Sequence, residues 1–334
     1  MNEQFNNVSN MQIYSDNPLA VDDEGYGTDS NSSVTSIQTS RHSLFSASHG
    51  RRYAALNDSY FLPNDDAELQ RLDLQHYMLL QVLEGRLHIV SDPEFVPGSV
   101  LDIGTGTGTW AVQMADMYSG SHVVGVDLVP IQHEMTPPNV EFHIEDVSNG
   151  MTYRANSFGL VHSRLLVAGM RNWDTYIKDC YRVTKPGGYF QGTEFDAELK
   201  SDDGTNFSEL PSMRVMNVIN GMTETMGYDL HCGTNMRRRV ADAGFIDIEE
   251  YTFRLPIGTW PKEPRLKSVG KIMLENAVKG VNAWGLRVLV SSGMKPDDAT
   301  ELLEKAAISF KDPKIHMYVT AHYVLGRKPE NLTH

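Results

Sequence analysis

The run LDIGTGTGTW, residues 101–110, decides how the rest of the chain is read. Val100–Ile103 is an apolar strand, glycines follow at 104, 106 and 108, and Trp110–Tyr118 has the spacing of a helix. Glycine at such a turn lets the backbone bend sharply and approach a ligand where a Cβ would intrude. The helix N-terminus beyond it offers N–H donors and a partial positive charge. Two phosphate loops are excluded by spacing. A dinucleotide fingerprint has its third glycine three places after the second, whereas here it comes two places after, and residue 109 is Thr. No G-x-x-x-x-G-K-[S/T] run occurs, which removes a nucleoside-triphosphate loop.

Outward from this turn, strands alternate with helices. Val123–Leu128, Glu141–Glu145 and Gly159–Ser163 read as further strands. Trp173–Thr184 is a helix ended by Pro186-Gly187-Gly188, and Tyr189–Glu194 is a fifth strand. The pattern predicts an α/β fold, a mostly parallel Rossmann-like sheet with helices on both faces, over 99–334. Upstream, Leu69, Leu72, His76, Leu79, Leu80 and Leu83 mark an amphipathic helix capped by Asn64 or Asp65 and closed at Gly85, within an N-terminal helical cap, 51–98. Downstream, 208–226 and 235–243 read as helices and 245–255 as a strand. A helical insertion, 263–311, has the place of a lid before a last strand, 316–326. Nineteen of the first fifty residues are Ser, Thr or Asn, with acids at Asp22, Asp23, Glu24 and Asp29. Such a composition does not offset chain entropy, so 1–50 is expected to be a disordered tail, either a phosphorylated docking segment or a solvated leader.

The 334 residues hold 29 Lys+Arg against 43 Asp+Glu, a net charge of −14. That balance argues against a grip on naked nucleic acid. Cys180 and Cys232 are the only cysteines, too few for a disulfide framework or a cysteine-rich zinc site, and no metal is expected. No apolar run approaches the roughly 18 residues of a membrane span, and MNEQFNNVSN lacks the features of a secretory signal. An intracellular protein is the expectation.

D-x-G-x-G-x-G beginning at Asp102 resembles the cofactor loop of class I S-adenosylmethionine (SAM) methyltransferases, which holds the amino-acid end of that ligand. Asp127 ends the second strand in VVGVD (123–127), where an acid commonly accepts from both ribose hydroxyls. Asp146 follows the third in FHIED (142–146), placed to accept from the adenine amino group while Val147 offers its N–H. The simpler alternatives are a strand-end cap at Asp127 and a turn former at Asp146. KPGG (185–188) before the fifth strand fits the same pattern. More narrowly, the chain resembles the LaeA-like family of fungal SAM-dependent methyltransferases. The matching pieces are RRY (51–53), YFLPND (60–65), RLDLQH (71–76), LDIGTGTGTW, GVDLVPIQ (125–132), PPNVEF (137–142) and VTKPGGYFQGTEFD (183–196), within a resemblance running from the leader to VLGRK (324–328). It implies SAM as cofactor, with Asp102, Gly104, Thr105, Gly106, Gly108, Asp127, Leu128, Asp146 and Val147 as its site. It also implies a fungal source and a role in secondary metabolism and development. Thr109 departs from the family, where a bulkier apolar residue is expected.

Methyl transfer is a displacement at a sulfonium, so the protein chiefly positions the nucleophile and, where needed, takes its proton. Candidate groups at the strand ends are His162 and Arg164 in GLVHSR (159–164) and Glu194 in QGTEF (191–195), with His76 and His133 further off. Each has a structural alternative: His162 as a packing partner, Arg164 in a bridge to Glu194, His76 as a core histidine, His133 as a loop residue. Tyr60 and Trp110 are aromatic candidates to cover a sulfonium. Met213, Met216, Met222 and Met226 form a helical stripe, either pocket lining or core. Arg237–Arg239 reads as a solvated face, and no N/D-P-P-Y/F motif occurs. Three functions fit: an enzyme methylating a small metabolite, a LaeA-like regulator working with velvet-type proteins in the cytoplasm or nucleus, or a SAM-binding scaffold without turnover.

Overall fold

The computed structural model describes residues 45–48, 51–54, 63–132, 135–205 and 207–330. Most of the expected tail lies outside them. Its boundary at residue 50 is corrected, however: β1 (Phe45–Ser48) pairs antiparallel with β2 (Arg51–Ala54), Ser48 opposite Arg51, as strands joined by two residues do. Asp65, one of the two expected caps, accepts the Glu68 N–H at 3.2 Å and starts α1 (Asp66–Val82).

The central layer follows as β3 (Ser99–Ile103), α2 (Thr109–Met117), β4 (His122–Asp127), β5 (Val140–Ile144), β6 (Phe158–Arg164), α3 (Trp173–Val183) and β7 (Thr184–Phe195). Then come α4 (Pro211–Thr225), α5 (Cys232–Asp242), β8 (Ile246–Ile257), α6 (Pro264–Ser291), α7 (Pro296–Phe310) and β9 (Met317–Arg327). The seven-stranded sheet has the order β5-β4-β3-β6-β7-β9-β8, parallel except for β9, which runs antiparallel to both neighbours. Chain order reverses between β3 and β6. In open α/β sheets that switch point opens a crevice beyond the strand C-termini, where ligands bind.

Alternation along β3 divides the core. Val100 packs with α1, α2 and the later helices, whereas Leu101 and Ile103 pack with α3 and α5. One local reading is corrected. KPGG does not separate helix from strand; it lies inside β7, which begins at Thr184 opposite Phe158 and is irregular there. A Cβ at Gly188 would sit 2.8 Å from the Gly159 carbonyl oxygen, so only glycine lets the strands close at that point. The insertion 263–311 is helical as expected, built of two helices separated where Gly293 takes φ +96° and Pro296 begins α7. No described helix is long and apolar enough to cross a membrane.

Candidate active site

The glycine loop is tied to the next strand. Gly104 and Thr105 both donate N–H to the Val126 carbonyl, at 2.9 and 3.0 Å, and Gly106 donates to Asp127 Oδ2 at 2.8 Å. Gly104 and Gly106 have φ of +67° and +58°, the region glycine enters without strain. Gly108, at φ +83°, also serves packing: a Cβ there would run into the Phe142 ring. Thr107 and Thr109 donate hydroxyls to Asp73 Oδ1 at 2.7 and 2.9 Å, so the family departure at Thr109 fastens the loop to α1.

Two cavities meet over this loop, one of about 360 Å³ and one of about 70 Å³, and Gly104, Asp127, Leu165, Leu166 and Ala168 line both. Leu128, Asp146 and Val147 line the smaller, as do Glu145 and Ser148. The larger is walled by the loop, α1 and strand ends and roofed by α4 and α6. Asp127 also accepts the Val129 N–H at 3.3 Å, and burial raises its carboxyl to a pKa of about 6. Asp146 spends its carboxylate locally, on the Ser148 N–H (3.0 Å) and hydroxyl (2.6 Å) and on Asn149 Nδ2 (3.1 Å), capping a short 3₁₀ turn.

Several expected positions are corrected. Asp102 lines neither cavity; it is buried on the α1 side, accepting from His162 Nδ1 and Thr105 Oγ1, both at 2.7 Å. His162 is absent from both cavities because its ring stacks on Trp110 at 3.7 Å, and burial holds its pKa down, leaving a neutral imidazole that donates to Asp102. Trp110 gives its Nε1–H to the Leu87 carbonyl, so it is core and covers no ligand. Arg164 does not bridge to Glu194. Its Nη2 donates to His76 Nδ1 at 2.8 Å, and His76 donates Nε2–H to Gln113 Oε1 at 3.0 Å. That tautomer follows from arginine having only donors. His76 therefore lines the large cavity with both ring nitrogens engaged, and burial, then the Arg164 charge, lower its pKa to about 3. His133 and Tyr60 lie outside the described residues.

Glu194 is fully buried and accepts the Leu166 N–H at 2.6 Å, with the Cys232 thiol 3.8 Å away. It thereby holds the segment after β6, where Leu165 carries φ +56° and the cavities meet. Burial raises the Glu194 pKa from 4.5 to about 8. The folded state thus keeps a proton that the unfolded chain loses, so this contribution to stability is complete below pH 4.5 and is lost as pH rises toward 8. Between pH ~6.5, where ordinary histidines have titrated, and about 8, stability is expected to fall by about 1.4 kcal/mol per pH unit. Denaturant melts of Glu194→Gln should be flat across that window; an unchanged slope would assign the effect elsewhere.

Of the methionine stripe only Met216 lines the large cavity; Met213 and Met222 pack against the core, and Met226 caps α4. In the arginine run Arg237 and Arg238 are exposed, Arg238 pairing with Asp242 at 2.8 Å, whereas Arg239 is largely buried over Trp173 and pairs with Asp229 at 2.6 Å. Sequence reading missed the roof contact: Arg71 pairs with Glu68 through two hydrogen bonds and gives a third to Asn276 Oδ1 at 2.8 Å, joining α1 to α6. The i, i+3 spacing of Glu68 and Arg71 was a visible signal; the partner 205 residues on was not.

A sheet in this order, with a glycine loop on its central strand and an acid ending the next, defines a class I methyltransferase. The methyltransferase-domain family model matches residues 74–250. A methyltransferase of Aspergillus terreus, pytC, is 32% identical over 94% of this chain and 97% of its own length. The secondary metabolism regulator LAE1 of Cochliobolus heterostrophus is 30% identical over 81% of this chain and 90% of its own. Among solved structures, a Haemonchus contortus phosphoethanolamine N-methyltransferase 2 is 21% identical with a TM-score of 0.45, covering 78% of this chain and 52% of that one. The chain belongs to the LaeA-like family of SAM-dependent methyltransferases.

Proposed function

We propose that this methyltransferase acts on a small molecule of fungal secondary metabolism. The observation that carries the reading is the roofed cavity of about 360 Å³ opening directly onto the glycine loop, a volume suited to a small ligand. The two joined cavities fit SAM. At Gly104, where they meet, the backbone sits at φ +67° and a Cβ would run into the Leu166 side chain, which lines both cavities, so glycine keeps the backbone close under a ligand that spans both. In this reading Leu128, Asp146 and Val147 hold the adenine, Asp127 the ribose hydroxyls, and Gly104, Thr105 and Gly106 the amino-acid end. Asp102 and Gly108 act behind the loop, one through Thr105 and the other through its packing on Phe142. When bound, the cofactor supplies a methyl group on a sulfonium, and the loop and roof exclude water around it.

A second reading, a regulator methylating protein in a complex with velvet-type partners in nucleus or cytoplasm, is supported by the similarity to LAE1. Radiolabelled SAM added to the purified chain and a fungal extract separates the two. Label is expected in the small-molecule fraction. Label in protein alone would replace the first reading by the second, and tight cofactor binding with no label in either fraction would indicate a scaffold.

A further inference from the structure

We infer that Arg164 anchors an acidic acceptor, an oxygen acid such as a carboxylic acid that enters the large cavity already ionised. The inference rests on the methyltransferase reading above. Arg164 ends β6 and lines that cavity. Its one side-chain hydrogen bond goes to neutral His76, whose Nδ1 accepts the N–H but brings no charge. Among the described residues no carboxylate lies within ion-pair distance of it; Asp102 acts on it only through space, and the acids around the site are already engaged. Asp102 is held by His162 and Thr105, Asp73 by the two loop threonines, and Glu194 by Leu166. Arg164 is part-exposed, lines this cavity and a small cleft beside Trp110 and Tyr323, and has no nitrogen among the buried atoms left without a partner.

A guanidinium drawn in from water without an anion is costly, and a carboxylate is its geometrically matched partner. The absence of a base points the same way. His76 has both ring nitrogens bonded, and His162 and Glu194 lie outside the cavity. The carboxylates lining the cavity are engaged as well, Glu68 by Arg71, Asp127 by the Gly106 and Val129 N–H groups and Asp196 by Thr234, whereas an acid ionised at neutral pH needs no base. Its oxygen forms the new bond to the methyl carbon, the carbon–sulfur electron pair stays with sulfur, and no proton moves. The product, a neutral ester, no longer pairs with Arg164 and leaves more readily.

The test is calorimetry on the full chain saturated with S-adenosylhomocysteine, titrating benzoate, naphthoate, octanoate and sorbate, each beside its methyl ester. The acids are expected to bind about tenfold or more tightly than the esters. Arg164→Met should erase the difference and Arg164→Lys retain part of it, with S-adenosylhomocysteine affinity unchanged in both. The wild-type comparison stands even where a variant does not fold. Esters binding as well as acids, no probe binding at all, or a preference that survives Arg164→Met would each overturn the assignment. If Arg164→Met instead weakens S-adenosylhomocysteine about tenfold, the cofactor's own carboxylate is the partner and the acceptor assignment fails. A wild-type protein that does not bind S-adenosylhomocysteine would strike the underlying reading, whereas one that binds it without preferring acids strikes this inference alone.

Discussion

Gly104→Val is expected to reduce S-adenosylhomocysteine affinity by more than about a hundredfold and to abolish methyl transfer. Two costs combine at this position. The backbone sits at φ +67°, where a β-branched residue is strained by roughly 1–2 kcal/mol. The added Cβ would also lie 2.3 Å from Leu166 Cδ2, in the wall shared by both cavities. Relief requires Leu166, which lines both cavities, to shift, and so reshapes the wall a spanning ligand meets. Melting temperature should drop by only several degrees, because most of the sheet contacts are untouched. Affinity within about threefold of wild type in the folded variant would show that the ligand does not pass over this loop.

Asp127→Ala should weaken the same ligand by ten- to a hundredfold or more, since a charged acceptor contributes on the order of 1.5–3 kcal/mol. The geometry adds a second loss. Asp127 also receives the Gly106 N–H at 2.8 Å, so truncation leaves a loop donor without its partner. Asp127→Asn, which keeps one acceptor oxygen, should fall between wild type and alanine. With the folded pKa near 6, the carboxylate is ionised above that pH, and wild-type affinity should rise as pH goes from ~5 to ~7. The alanine variant should lack that rise. A pH profile shared by wild type and alanine would take Asp127 out of the binding site.

The strands of the α/β half were legible because parallel strands buried on both faces are short apolar runs, and glycines mark their ends. Their observed bounds differ by a residue or so, as at β4 (His122–Asp127 against 123–128). β7 was not legible in full, since its start depends on glycines at 159 and 188 meeting across two strands. The catalytic candidates fared differently. Their positions at strand ends were readable, but their side-chain partners were not: Arg164 turned to His76 on α1, and Glu194 to the backbone of Leu166.

The sequence by itself determined the fold class, the loop and the acids that follow successive strands, because a period-two pattern, a glycine spacing and a strand-end position are local properties. Only the tertiary structure decided which of those residues face a ligand. Asp102 and His162 share a face of adjacent strands, so they meet each other at 2.7 Å and not the cavity. The roof over the cavity depends on Arg71 reaching Asn276, and the partner of Arg164 on α1 bringing His76 to the end of β6. Burial and hydrogen-bond partnership are set by contacts between segments far apart in the chain, and no periodicity within one segment encodes them.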